Sequence, residues 1–379
     1  MIYLDNSATS GFKPESVIKA VSDTLRHISA NPGRGGHSQS IKAGLLVHKT
    51  RQSLADYLGL KRGNVIFTGG CTQALNFAIL GTVKYGGHVV STVLEHNSVL
   101  RPLFELERMG QITLTLVAPD KIGNITPDAI FSAVKKDTYL VVTNHISNVT
   151  GAITPVAEIG NLCKKNGILY LVDGAQSVGY YDIDIERDNI DLLAIAPHKG
   201  LAAPQGIGAL AIKEDIQIKP TLFGGTGTDS LNLFQPLELP ESLESGTVAT
   251  PAIAGLNAGL KWTKTHYKRN TEKLENLGIW AKNELSKISG ITLYSTALYS
   301  TPSILAFNIN GCHSSELAEI LSDEYDICVR GGLHCAPLMH KFLGTESSGI
   351  VRASLGSDTT SSDIDCFLNA IKQIAKCKI

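Results

Sequence analysis

The chain has 379 residues, of which 43% are hydrophobic and 18% charged, and its formal net charge is -1. This composition is typical of a globular protein with a large apolar core, and the length predicts two domains, or one large domain with an appendage. The near-zero charge gives no reason to expect nucleic acid or an anionic membrane as a partner. No apolar run reaches the roughly 18–20 residues that a membrane-spanning helix needs.

The N-terminus and the cysteines both indicate a reducing compartment. The first ten residues, MIYLDNSATS, lack the basic and apolar regions of a secretory signal, so we expect a cytoplasmic protein. Thiols stay reduced in the cytoplasm, so the seven cysteines are not expected to form a disulfide framework. None of them forms a C-x-x-C pair, and we therefore predict no metal site.

Short apolar runs alternate with helical patterns from about residue 60 to residue 213. The predicted strands are, in chain order, 64–68, 87–92, 139–144, 168–173, 191–196 and 207–213. The predicted helices between them are 72–84, 98–110, 126–136 and 156–167. The strands are apolar on both faces, as in a sheet covered on two sides. The alternation therefore predicts an α/β fold with a largely parallel sheet.

The pattern changes after about residue 250. A long amphipathic stretch covers 251–288, and the short runs ITLYS, SILAFNI and ICVRG follow it, with helices near 314–323 and 361–376. This mixture is typical of a smaller α+β domain. We therefore predict a large domain at 15–250 and a small domain that combines 1–14 with 251–379.

Polar residues follow five of the predicted strands, at the point where each strand ends. Ligands of open α/β sheets bind in the crevice beyond the carboxyl ends of the strands. Any one of these residues could be a helix cap or a surface charge, but five sites at one edge favour a shared pocket. The residues are, in chain order, Cys71 and Thr72, then His96, Asn148, Asp173 with Gln176, and His198 with Lys199.

This set of residues suits pyridoxal phosphate. A lysine forms a Schiff base with the aldehyde, and a carboxylate keeps the pyridine nitrogen protonated so that the ring can accept electrons. A helix N-terminus, as predicted at Cys71, can hold the phosphate. Lys199 follows Asp173 by about one strand–helix–strand excursion, so both can reach one pocket from neighbouring strands.

Ordered motifs along essentially the whole chain resemble one family. They include YLDNSAT, FTGGCTQALN, EHNSVLRP, ISNVTGAITPV, LVDGAQSVG, APHKGLAAPQGIGAL, ESGTVATPAIAGL, RGGLHCAPLM and VRASLG. The chain resembles the class V aminotransferase group of fold-type I pyridoxal phosphate enzymes, and within it the cysteine desulfurases and selenocysteine lyases. The resemblance implies a large domain built on a mainly parallel seven-stranded sheet, with a smaller α+β domain.

The matching motifs imply how the cofactor is held. Lys199 would form the Schiff base, and Asp173 would pair with the pyridinium nitrogen. Gln176 would contact the phenolic oxygen, and His96 would stack on the ring. The phosphate would be held by Cys71, Thr72 and His198.

The same resemblance implies contacts with the substrate and with a second subunit. Asn148 and Arg352 would hold the substrate carboxylate, which the planar guanidinium fork matches well, and Arg330 would assist. Thr247 resembles the position that reaches the phosphate of the neighbouring subunit, which implies a homodimer with shared active sites.

The loop RGGLHCAPLM resembles the compact loop of group II desulfurases, the sulfur-mobilising type, in which a cysteine is the nucleophile. The Cys335 thiolate would attack the sulfur of L-cysteine, which leaves a persulfide on Cys335 and releases alanine. Lys199 would take the Cα proton and His96 would act as acid or base. We expect positive charge from His334 and Arg330 to favour the thiolate. A buried, inert cysteine is the other interpretation, but the surrounding glycines and proline predict a surface loop.

Three other functions stay open. A selenocysteine lyase would share the cofactor site and prefer C–Se over C–S cleavage. An aminotransferase or epimerase on the same fold would not need Cys335. A sulfur-carrier scaffold without turnover would not need the Lys199, Asp173 and His96 set. A sulfur-acceptor protein is a possible partner, and no extra domain identifies it.

Overall fold

The computed structural model describes residues 1–33, 35–228, 230–296 and 299–378. Its strands are, in chain order, β1 (Ile2–Tyr3), β2 (Gly63–Thr68), β3 (Gly87–Thr92), β4 (Ile112–Val117), β5 (Thr138–Asn144), β6 (Leu169–Asp173), β7 (Leu192–Ile195), β8 (Gly208–Lys213), β9 (Ile291–Leu293), β10 (Ile304–Ile309), β11 (Ile327–Cys328) and β12 (Val351–Ser354). Its helices are α1 (Glu15–His27), α2 (Ser38–Tyr57), α3 (Cys71–Gly81), α4 (Asn97–Arg108), α5 (Pro127–Ser132), α6 (Val156–Asn166), α7 (Thr250–Leu285), α8 (Ser314–Tyr325), α9 (Pro337–Leu343) and α10 (Ser361–Lys378).

A seven-stranded sheet in the order β2-β8-β7-β6-β5-β3-β4 forms the centre of the fold. β8 runs antiparallel to both of its neighbours, and the other described strand pairs of this sheet are parallel. Two hydrophobic clusters cover its two faces, because Val141 of β5 belongs to one cluster while Leu140 and Val142 belong to the other. The predicted α/β fold with a largely parallel sheet is confirmed.

The six predicted strands are confirmed with ends that differ by at most one residue. The sequence prediction lacks β4, whose residues alternate and whose middle is only partly buried, because β4 pairs with β3 alone at the sheet edge. Of the predicted helix 126–136, only Pro127–Ser132 is helical. Thr126 caps its start by accepting a hydrogen bond from the Ala129 N–H.

The remaining strands form two smaller sheets. β10 pairs antiparallel with β12 and β9, and β1 pairs parallel with β11. A third hydrophobic cluster joins the three-stranded sheet to α10, as in the edge-to-face contact of Phe307 with Phe367. The stretch predicted at 251–288 is one helix, α7, of 36 residues that also packs against α1 and α2. The domain division at residues 14 and 250 stays a prediction.

The sheet directions bring the predicted polar residues to one edge. β3, β5, β6 and β7 are parallel to one another. β2 shares their direction because β8 is antiparallel to both β2 and β7. The carboxyl ends of these five strands therefore face the same crevice. Within the described part of the chain, none of the helices is both long and apolar enough to cross a bilayer.

Candidate active site

A cavity of about 280 Å³ lies at the carboxyl edge of the large sheet. Its lining includes every predicted site residue except Cys335 and Thr247. Residues more than 250 positions apart meet there, because β12 and the loop after β11 bring Arg352 and Arg330 to residues that follow β2 and β3. In the described ranges there is no group of His, Cys, Asp and Glu side chains that could hold a metal ion.

The N-terminus of α3 opens into this cavity. Its N-cap is Gly70, which offers no side chain to the N–H groups of the first helical turn, so these N–H groups can bind an anion. Gly208 of β8 allows this arrangement, because a Cβ atom there would lie 2.3 Å from the carbonyl carbon of Gly70. The Thr72 hydroxyl lies 2.8 Å from the hydroxyl of Ser98, at the start of α4.

Asp173 ends β6 and is buried. Its Oδ1 accepts a hydrogen bond from the Ala175 N–H at 2.9 Å and another from the Cys71 thiol at 3.7 Å. Burial first, and then the Asp173 charge, raise the pKa of Cys71 well above its usual value, so this thiol stays protonated. The Cys71 side chain therefore contacts the Asp173 carboxylate. That Cys71 helps to hold the phosphate stays a prediction, and its backbone N–H is the group that could do so.

Lys199 lies in the turn after β7, on the cavity wall. Burial lowers the pKa of its amine, Asp173 opposes that shift, and Arg352 adds to it. A lysine with a lowered pKa provides more of the free amine that a Schiff base requires. Its neighbour His198 has a pKa lowered to about 4, by burial and by the charges of Lys199 and Lys13.

His96 is the N-cap of α4 and lines the cavity. Its Nδ1 accepts a hydrogen bond from the Ser98 N–H at 3.0 Å. The neutral ring therefore carries its proton on Nε2. Burial lowers the pKa of His96 although Asp173 opposes the shift, so the ring is mostly neutral at pH 7. A neutral imidazole of this kind can both stack and transfer a proton.

Arg352 of β12 is only 1% exposed. One terminal nitrogen donates to Asp5 at 2.9 Å and the other to the carbonyl oxygen of Asn148 at 2.8 Å. Its Nε has no hydrogen-bond partner among the described residues. Arg330 exchanges backbone hydrogen bonds with Arg352, which places a second guanidinium on the same wall. Two cations and a free donor suit a carboxylate ligand.

Cys335 is exposed and lies outside the cavity lining, in the loop before α9. Both His334 and Cys335 have left-handed backbones, with φ of 49° and 57°. Two hydrogen bonds of 2.7 Å hold this turn. The Asn97 N–H donates to the Cys335 carbonyl, and the Asn148 side chain donates to the His334 carbonyl. The loop that carries Cys335 is therefore tied to residues that follow β3 and β5.

The prediction that His334 supplies positive charge to the thiol is wrong. His334 is buried, and its Nε2 donates to the Ile350 carbonyl at 2.9 Å. Burial lowers its pKa to about 2, and Arg352 contributes in the same direction. His334 is therefore neutral at pH 7. Of the two residues expected to favour the Cys335 thiolate, only Arg330 carries a positive charge.

Thr247 lines a separate, neighbouring cavity with Gly206 and Val248. Its hydroxyl lies 3.5 Å from the side-chain nitrogen of Asn31. This position is compatible with a contact to a second subunit, which stays a prediction.

Three residues in or beside the cavity have no role in the sequence prediction. Asp5, which belongs to the motif YLDNSAT, pairs with Arg352. Asn144, the last residue of β5, lines the cavity and its buried Oδ1 has no partner among the described residues. Glu95 stands directly before His96 and is fully buried. The sequence does contain a positional signal for two of them: Asn144 ends a predicted strand, and Glu95 directly precedes the predicted site residue His96.

One family model and the curated relatives that match this chain point to the same family. The family model described as aminotransferase class-V matches residues 2–367. A probable cysteine desulfurase of Methanothermobacter thermautotrophicus is 32% identical, over 99% of this chain and 94% of the relative. Cysteine desulfurase IscS of Proteus mirabilis is 30% identical, over 98% and 91%.

A solved structure shares both the sequence and the fold. The apo structure of the cysteine desulfurase from Thermococcus onnurineus NA1 is 30% identical and has a TM-score of 0.93, with 99% of this chain and 95% of that chain covered. Sequence and fold agree, and the chain belongs to the aminotransferase class-V family.

Proposed function

We propose that this chain is a pyridoxal phosphate-dependent cysteine desulfurase, which converts L-cysteine to L-alanine and transfers the sulfur to Cys335 as a persulfide. The observation that carries the proposal is the meeting of Lys199, Asp173 and Arg352 in one cavity, beside a loop that exposes Cys335. The names of the related proteins support the same activity.

The residues present fit the cofactor. Lys199 would bind the aldehyde carbon, Asp173 would pair with the pyridine nitrogen, and the first turn of α3 with Thr72 would hold the phosphate. Remaining contacts would come from Gln176, His96 and His198. When bound, pyridoxal phosphate supplies an electron sink that weakens the bonds at the Cα of the substrate.

The protein's own groups would then bind the substrate and move its protons. Arg352, with Arg330 and Asn148, holds the substrate carboxylate and so orients the Cα–H bond. Lys199 removes the Cα proton, and its lowered pKa favours the free amine that this step needs.

Sulfur transfer would occur at Cys335. Its thiolate attacks the substrate sulfur, an S–S bond forms, and the Cβ–S bond breaks with its electron pair left on carbon. The proton that the Cys335 thiol lost returns to Cβ through His96, and Lys199 returns the Cα proton. The products are alanine and a Cys335 persulfide, whose exposed position suits transfer to an acceptor protein.

We also propose a homodimer in which Thr247 contributes to the partner's cavity. Support comes from the stretch 231–237, which exposes four large apolar side chains, an unusual density for a free surface. These side chains are Leu231, Leu233, Phe234 and Leu237.

Incubation of the purified protein, loaded with pyridoxal phosphate, with L-cysteine tests the function. We expect equimolar alanine and sulfur, and mass spectrometry should detect a persulfide on Cys335. Cys335→Ala should abolish the persulfide yet keep the visible cofactor band, whereas Cys366→Ala, at another exposed cysteine, should change neither. Alanine formation at the original rate by Cys335→Ala would exclude this mechanism, and turnover of L-selenocysteine alone would favour the lyase.

A further inference from the structure

The segment 94–98, which covers the end of the connection from β3 and the start of α4, touches three parts of the proposed active site. His96 lies on the cavity wall. The Ser98 hydroxyl is 2.8 Å from that of Thr72, at the helix end that would hold the phosphate. The Asn97 N–H donates to the carbonyl oxygen of Cys335 at 2.7 Å. A shift of this segment would therefore move the acid–base group and the nucleophile loop together.

Glu95 fixes this segment to the sheet. Its side chain is fully buried, and its Oε1 accepts hydrogen bonds from the Thr92 hydroxyl at 2.6 Å and from the Asn144 N–H at 3.0 Å. The Asn144 side chain donates in return to the Leu94 carbonyl at 2.7 Å. The Leu94 N–H also donates to the Thr92 hydroxyl at 3.1 Å, so four hydrogen bonds hold the segment against the ends of β3 and β5. The proposed mechanism gives Glu95 no part.

The groups that face Glu95 determine its protonation state. They are Thr92 of β3, Asn144 of β5, and Tyr170 and Asp173 of β6. Burial raises the pKa of Glu95 to about 8, against the effect of its two hydrogen bonds, and Asp173 adds to the rise. The acid is therefore mainly uncharged at pH 7, and it acts through hydrogen bonds rather than through charge.

We propose that Glu95 is a positioning residue: by tying the segment 94–98 to the end of β5, it sets the place of both His96 and the Cys335 loop. The inference rests on the proposed function for its effect on turnover. Its effect on the exposure of Cys335 does not depend on that function.

Glu95→Leu and Glu95→Gln form a matched pair for the test. Leucine keeps much of the volume and removes the hydrogen bonds, whereas glutamine keeps an oxygen that can accept them. We expect Glu95→Leu to lower kcat by at least about tenfold while KM for L-cysteine changes less than about threefold. Glu95→Gln should recover most of that loss.

A second readout needs no turnover. Iodoacetamide labelling, followed by peptide mass spectrometry, compares the alkylation rate of Cys335 with that of the exposed Cys366 in the same sample. In Glu95→Leu the ratio of the two rates should rise at least about threefold, because a looser Asn97 no longer holds the turn, and in Glu95→Gln it should return toward the original value.

The outcomes separate the two proposals. If Glu95→Leu does not fold, Thr92→Val takes its place and should move both readouts in the same direction, because it removes the shorter hydrogen bond to Glu95 together with the one from the Leu94 N–H. A folded variant with the original kcat and alkylation ratio would overturn the positioning role, as would a glutamine variant as impaired as the leucine one. If the unmodified protein forms no alanine, the proposed function fails, and the alkylation ratio still decides the role of Glu95.

Discussion

At the scale of single residues, burial and hydrogen bonds hold the Arg352 side chain in one orientation. It is almost fully buried, and its two terminal nitrogens are held by Asp5 and by the Asn148 carbonyl. These contacts fix the plane of the guanidinium, and the buried Nε has no hydrogen-bond partner among the described residues. A lysine has neither the plane nor the fork, so it cannot meet Asp5, Asn148 and a substrate carboxylate together.

Arg352→Lys should therefore raise KM for L-cysteine by at least about tenfold, because an ammonium group cannot keep the contacts with Asp5 and Asn148 and also donate to the substrate carboxylate. Steady-state kinetics of alanine formation provide the measurement. Arg108→Lys is the matched control, since Arg108 is exposed and pairs only with Glu105 on the same helix among the described residues. Equal KM values for the two variants would contradict the substrate role of Arg352.

Glu95 should also leave a signature in the pH dependence of stability. Its pKa is raised from 4.5 to about 8 in the folded protein, so the native state keeps a proton that the unfolded chain releases in this range. The free energy of unfolding of the unmodified protein should then fall relative to that of Glu95→Gln by about 1.4 kcal/mol per pH unit between these values. Urea unfolding at pH 5, 6, 7 and 8 measures this difference, and pH-independent values would refute the shift.

The residues that sequence reasoning brings to the cavity are those at the ends of regular strands. Asp173 and Lys199 follow short apolar runs whose direction a parallel sheet fixes, and both line the cavity. The neutral state of His334 and the contact between the Cys71 thiol and Asp173 depend on burial and side-chain direction, which no local pattern encodes. The pairing of Asp5 with Arg352 joins residues that are 347 positions apart, beyond any periodic signal.

At the scale of elements, the contact between β8 and the start of α3 shapes the proposed phosphate site. Gly208→Ala would place a Cβ atom 2.3 Å from the Gly70 backbone, so the strand or the helix end must move. We expect the free energy of unfolding to fall by about 1–3 kcal/mol and the Kd for pyridoxal phosphate to rise at least about tenfold.

Cofactor titration followed by absorbance measures that Kd. Gly36→Ala is the control, because a Cβ atom at Gly36 meets nothing within 4 Å. A Gly208→Ala protein with the original cofactor affinity would show that the first turn of α3 does not hold the phosphate.

The sequence predicts those strands of the large sheet that are buried on both faces. Every residue of β5 is buried, and its apolar run defines the strand in the sequence. β4 has an alternating pattern with partly exposed residues, and it becomes a strand only because β3 offers it an edge. Tertiary pairing of this kind overrides a weak local signal.

At the scale of the whole molecule, the exposed stretch 231–237 is the expected interface between two copies. Leu233 and Phe234 are 96% and 84% exposed, and a charge at either position would be buried without a partner in a dimer. Leu233→Glu with Phe234→Glu should give a monomer by size-exclusion chromatography with light scattering. Ile18→Glu, at another exposed apolar side chain on α1, should leave the dimer intact. A monomeric unmodified protein would exclude shared active sites.

The pairing of Asp5 with Arg352 has a consequence for the order in which the site is assembled during synthesis. The groups that would bind the cofactor within one subunit lie between residues 71 and 199, and the ribosome adds Arg352 after all of them. Its ion-pair partner, Asp5, precedes them in the sequence. A nascent chain would therefore contain the proposed cofactor-binding groups before it contains the arginine for the substrate carboxylate. Sulfur would thus be released only by a chain in which Asp5 and Arg352 have met.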